Sequence, residues 1–162
     1  MVSPELIRTY LQEVSDPEIP VLTINDLGVV QQIYEAEGEW VIELTPTYSG
    51  CPAMQQIEAD VLTKLQEKGI TNARIQHVLS PAWTTDWIGP EAREKLRAYG
   101  IAPPGRAEPQ GLITLARSRV AVPCPFCRSN DTRLQSEFGS TACKAIHVCN
   151  SCRQPFDEFK AL

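Results

Sequence analysis

The sequence predicts an α+β protein: a small mixed α/β sandwich domain followed by a small β module held together by a metal. Three observations predict it. Segments with helical and strand periodicity alternate in the order α–β–β–α–β–α from Ser3 to Tyr99. Five of the six cysteines, Cys124, Cys127, Cys143, Cys149 and Cys152, crowd the last 39 residues. Between them lies AYGIAPPGRAEPQG (98–111), rich in Pro and Gly. Charge reverses across it: residues 1–104 hold 7 basic and 15 acidic side chains, residues 105–162 hold 8 and 5. The expected division is an α/β domain over 1–104, a linker over 105–118 and a β module over 119–162.

Each element has a local cause. Ser3 can cap a helix with Pro4 in its first turn, and Leu6, Ile7, Tyr10, Leu11 and Val14 then share one face. The two prolines of DPEIP (16–20) end it. GVVQQIYEAEG (28–38) and EWVIELTP (39–46) read as a hairpin turning at Gly38. A second helix is expected over 52–68, with Ile57, Val61, Leu62 and Leu65 inward and Gly69 as its stop. ARIQHVL (73–79) alternates like a half-buried strand, and a third helix spans 90–99 before Gly100. Trp83 and Trp87 are four apart and would share a helical face, for packing or for a partner.

With 43% apolar residues in 162, the chain can fill a core, so wholesale disorder is excluded. A net charge of −5 argues against a general nucleic-acid coat protein, and the flanks of the cysteine cluster lack a dense basic stripe. No apolar run reaches the roughly 18 residues a membrane span needs. The N-terminal stretch is amphipathic with acidic residues rather than basic and then apolar, which predicts no signal peptide and a cytoplasmic protein.

CPFC (124–127) and CNSC (149–152) carry the strongest chemical signal. Each places two thiolates on one tight turn, and two such turns close a tetrahedron around zinc, or around iron, which accepts the same four ligands. The 21-residue gap leaves room for a hairpin from RLQSEF (133–138) and AIHVC (145–149), with Phe156 and Phe159 as a small core. A module this small needs such a staple. Cys124, Cys127, Cys149 and Cys152 are therefore the expected ligands of a structural zinc ribbon, closed to water. Cys143 is either a spare thiol or a reserve ligand, and His147 is expected to be packed rather than coordinating.

Cys51 stands apart in TPTYSGCPAMQQ (45–56), where Pro52 would place it at a helix N-cap. There the helix dipole favours a thiolate. Thr45, Thr47 and Ser49 add hydroxyls. A reactive thiol, a soft-metal ligand and a small buried hydrophobe all remain open for it. Asp16, Glu18 and Asp26 either serve their own loops or line a pocket with Cys51. His77 is expected to be structural.

DPEIPVLTINDLGVV (16–30), TPTYSGCPAM (45–54) and PAWTTDWI (81–88) resemble the iron–sulfur assembly-associated domain family, the one containing SufT. VPCPFC (122–127), FGSTACKA (138–145) and CNSCRQPFDEFK (149–160) resemble the C-terminal zinc ribbon of its PaaD branch, the D subunits of phenylacetyl-CoA epoxidase. The resemblance implies a cytoplasmic, non-catalytic accessory of aerobic phenylacetate degradation that assists assembly of iron or iron–sulfur centres. It implies iron handling at Cys51, with Asp16, Glu18 and Thr47 in matching motifs, and structural zinc in the ribbon. The implied partners are the oxygenase or reductase of the epoxidase, without membrane or nucleic acid; a homodimer stays open. The alternative is a structural subunit tethering those components.

Overall fold

The computed structural model describes residues 1–106 and 121–162, so most of the expected linker lies outside the described residues. The architecture is α+β, and it divides into two compact units, Met1–Gly89 and Pro90–Leu162.

The first unit opens with helix α1 (Pro4–Tyr10). Ser3 caps it, its hydroxyl accepting from the Leu6 amide at 3.2 Å. A 3-10 turn, Leu11–Glu13, carries the chain into the DPEIP loop. Strands β1 (Val30–Ala36) and β2 (Glu39–Leu44) form the expected hairpin. Its two turn residues, Glu37 and Gly38, both have positive φ (55° and 83°), the combination that matches the strands' own twist. Helix α2 (Ala53–Glu67) follows and returns the chain to β3 (Ala73–His77), which pairs parallel to β2. The sheet order is β1-β2-β3, with α1 and α2 packed on each other and on the sheet. Ile7, Leu11, Val41, Ile42, Leu44, Ile57, Val61 and Leu65 are buried in this unit's core. Gly69, at φ 81°, ends α2, and the Ile70 amide reaches back to the Leu65 carbonyl at 2.8 Å.

The segment 81–88 departs from the helical expectation for its two tryptophans. It runs as a loop from the cis Ser80–Pro81 peptide into a 3-10 turn, Thr85–Trp87. The tryptophans separate as a result. Trp83 is buried, donating its indole N–H to the Leu27 carbonyl at 2.7 Å. Trp87 instead lies over Gly28, where an added Cβ would meet the Trp87 Cβ at 3.1 Å.

The second unit begins with helix α3 (Pro90–Ala98) and the two-residue strand β4 (Ile101–Ala102). The sequence reading groups both with the first module. In the structure both fall in the second unit, and β4 pairs parallel with β7 (Pro155–Phe159) as a strand of its sheet. That sheet, in the order β4-β7-β6-β5, is completed by β5 (Thr132–Ser136) and β6 (Lys144–Cys149), antiparallel to each other, with β6 also antiparallel to β7. Phe156 and Phe159 are buried as expected. Among the described residues no helix is long and apolar enough to cross a membrane.

A four-cysteine metal centre and the Cys51 loop

Two mirrored turns bring the ribbon thiols together. In the first, the Arg128 amide bonds to the Cys124 carbonyl at 2.9 Å; in the second, the Arg153 amide bonds to the Cys149 carbonyl at 3.0 Å. Both arginines sit in the left-handed region, at φ 63° and 65°. The turns are tied across the gap by Ser129 and Ser151, whose hydroxyls lie 2.8 Å apart. Asn150 is tied to Asp131 by a backbone bond at 2.9 Å and a side-chain bond at 2.8 Å.

The sulfurs of Cys124, Cys127, Cys149 and Cys152 all lie within 4.8 Å of one another. Cys124 and Cys152 are 3.7 Å apart, Cys127 and Cys149 3.5 Å. A tetrahedral zinc with bonds of about 2.3 Å requires sulfurs about 3.8 Å apart, so the donor set fits zinc both in chemistry and in spacing. Four negative charges packed this closely would repel one another. The Cys152 amide, 3.5 Å from the Cys149 sulfur, together with the Cys127 thiol, holds Cys149 down to about 7. The Gln154 amide favours the Cys152 thiolate, but burial and the three neighbouring thiols outweigh it and push Cys152 up to about 12. A divalent cation removes this conflict by taking all four as thiolates, with release of their protons.

Cys143 does not join them. It precedes β6, which spans about 17 Å at roughly 3.3 Å per residue before Cys149 ends it. The buried Cys143 sulfur instead lies 3.0 Å from the Thr141 hydroxyl. His147 also stays outside: its Nε2 meets Glu158 at 2.7 Å and its ring stacks on Phe156.

In the first unit, Cys51 is partly exposed in the loop between β2 and α2. The helix begins one residue later than the sequence suggests. Pro52 already has helical dihedrals and takes the cap position, while Cys51 precedes it and accepts from the Met54 amide at 3.2 Å. The Thr47 hydroxyl donates to the Cys51 sulfur at 3.8 Å, so these two predicted site residues do come together. Thr45 is buried, with its hydroxyl oxygen unpaired.

Asp16 and Glu18 are placed differently. Asp16 is 7% exposed, and its Oδ1 accepts from the amides of Glu18 at 2.8 Å and Ile19 at 2.7 Å. This carboxylate holds the DPEIP turn. Asp26 does similar work, exchanging bonds of 3.0 Å with the backbone and hydroxyl of Thr23. Among the described residues, the four ribbon cysteines are the one set of three or more His, Cys, Asp or Glu donors close enough to share an ion. Asp16 and Glu18 therefore form no such set with Cys51. His77 pairs with Glu58 at 2.6 Å. The left-handed arginines after each cysteine pair escaped the sequence reading, although the repeated CxxCR was there to be seen.

Comparison with known proteins places both halves. Residues 108–160 match the family described as the PaaD zinc beta ribbon domain, and residues 4–75 match the iron–sulfur cluster assembly protein family. The chain is 49% identical over 156 residues to the putative D subunit of the 1,2-phenylacetyl-CoA epoxidase of Escherichia coli, covering 96% of this chain and 92% of that one. It is 35% identical over 94 residues to an Fe-S protein maturation auxiliary factor of Porphyromonas gingivalis, covering 57% of this chain and 89% of the other. Among solved structures, a domain of unknown function from Bacillus anthracis matches at TM-score 0.53 and 28% identity, covering 57% of this chain and 90% of its own. A conserved hypothetical protein of Thermotoga maritima matches at TM-score 0.50 and 28% identity, covering 59% and 94%.

Proposed function

The chain belongs to the PaaD family, and on that premise we propose that it is a non-catalytic accessory that helps assemble or insert iron or an iron–sulfur centre in the phenylacetyl-CoA epoxidase system. The observation that carries this reading is the setting of Cys51: a partly exposed thiol, touched by the Thr47 hydroxyl, in a unit separate from the four ribbon thiols. A single protein thiolate suits a soft metal species that must be both bound and released. A closed set of four suits a metal that stays. Iron or a cluster is thus cargo at Cys51, and zinc is the resident ion of the ribbon. Asp16 and Glu18 act indirectly, by shaping the loop before β1.

The relatives support the same division of labour. The maturation factor covers 57% of the chain, whereas the epoxidase component covers 96%. The ribbon match over 108–160 lies outside the 4–75 match to the assembly family, and we assign the ribbon to recognition of the client, either the oxygenase or the reductase of the epoxidase. The cytoplasm is the compartment this role requires.

Anaerobic iron reconstitution, with metal analysis of wild type and Cys51→Ser, tests the proposal. The expected result is iron bound beyond one zinc per chain in wild type and lost in the variant, with a matching fall in client iron when the variant replaces wild type in cells. Unchanged client iron in the Cys51→Ser background would overturn it. Stoichiometric co-purification with the client, indifferent to Cys51, would instead support a structural tether.

A further inference from the structure

The second unit exposes an aromatic residue that it also holds rigid. Phe126, at the tip of the first cysteine turn, is 56% exposed. Its ring rests on Gly100, where an added Cβ would come within 3.0 Å of Cζ and 3.1 Å of Cε1. Gly100 is also at φ 91°, so glycine serves both the backbone and the ring's seat. Tyr99, just before it, is 58% exposed. An aromatic ring already fixed in place loses little entropy on binding, and Phe, Tyr and Arg are enriched at interfaces.

Arginine accompanies these rings. Arg128, two residues after Phe126, is exposed and sits at φ 63°. Arg153 occupies the mirrored position on the second turn, at φ 65°. The conformation itself belongs to the cysteine turns, and holding it costs a non-glycine residue of order 1 kcal/mol or more. A glycine at either place would relieve the strain and lose the cation. Arg128 also acts on Glu94 of α3, whose carboxyl is held below its ordinary value first by the Arg97 hydrogen bond, with the charges of Arg97 and Arg128 adding to it.

We propose that Phe126, Tyr99 and Arg128, with Arg153 on the neighbouring turn, form the surface by which the ribbon docks an acidic, apolar-centred patch on its protein client. This rests on the maturation role proposed above and names the recognition surface for it. Charge selects the occupant. Residues 90–162 hold 11 basic and 7 acidic side chains, against 4 and 13 in residues 1–89, so the ribbon unit is the cationic part of an anionic chain. Charge also disfavours a second copy of this unit, since two faces of the same sign repel.

The test measures binding of the zinc-loaded full chain to the purified oxygenase and reductase components of the epoxidase, at low and high salt. Wild type, Phe126→Ala and Arg128→Glu are compared, with one zinc per chain as the folding control. The expected result is that one component binds wild type, that Phe126→Ala weakens binding at least tenfold at either salt, and that Arg128→Glu slows association and removes most of the salt dependence. Binding by wild type that both variants match would overturn the surface while leaving the maturation role standing. Wild type binding to neither component would overturn both. Self-association, or binding to a mixed-sequence DNA duplex, that is lost in Phe126→Ala would overturn the acidic client as occupant.

Discussion

Replacing Cys149 with serine should unfold the ribbon and leave the first unit standing. Cys149 is fully buried and is one of the four sulfurs of the cluster. A structural zinc of this kind contributes about 10–16 kcal/mol to folding. Among the described residues, the large apolar side chains buried in the same unit are Leu96, Ile101, Phe156 and Phe159. At about 1.5–3 kcal/mol each they supply together no more than the metal does. Domain stabilities of about 5–15 kcal/mol leave no margin for losing the ion. Hydrogen exchange read by mass spectrometry decides the matter. Amides of β5, β6 and β7 should fall to the exchange rates of an unfolded chain, while those of β1, β2 and β3 keep their protection. A chelator applied to wild type should reproduce the pattern, and acid should favour it, because protons compete for the thiolates. Cys143→Ser, outside the cluster, should keep its zinc. Protected β6 amides in a Cys149→Ser protein shown by metal analysis to hold no zinc would refute the reasoning.

Three further outcomes are expected in the first unit. Asp16→Ala leaves the amides of Glu18 and Ile19 without their acceptor and should cost about 1–3 kcal/mol in urea unfolding. Trp83→Phe keeps the packing but orphans the Leu27 carbonyl, at a cost of about 1–3 kcal/mol by the same measurement. Glu13 has its carboxyl held below the ordinary 4.5 by hydrogen bonds from Lys68 and then Lys64. A lowered folded value means a contribution present at neutral pH and lost as pH falls through and below 4.5; Glu13→Gln should flatten the acid limb of a stability–pH curve slightly, since the pair is exposed.

Much of this was legible in one dimension because its causes are local. Ser3 and Pro4 announce α1, Gly38 the hairpin turn and Gly69 the end of α2, each through its own backbone preference. The paired CxxC segments announce the metal set, because two thiolates on one turn have few other uses. What escaped depends on distant partners. Ile101–Ala102 carry no periodicity, and become a strand through pairing with β7, more than fifty residues away. PAWTTDWI has helical spacing, yet Trp83 finds its hydrogen-bond partner at Leu27 and Trp87 rests on Gly28.

The site divides along the same line. Residue type and spacing alone determined that four thiols would meet, since two CxxC turns each bring a pair of sulfurs to one place. Tertiary structure decided which nearby groups share those sites. It excluded Cys143 by the length of β6, committed Asp16 to its own loop's amides, and set Phe126 on Gly100 with its face to solvent. Contacts of that kind are settled by where the folded backbone brings surfaces together, and no local preference along the chain encodes them.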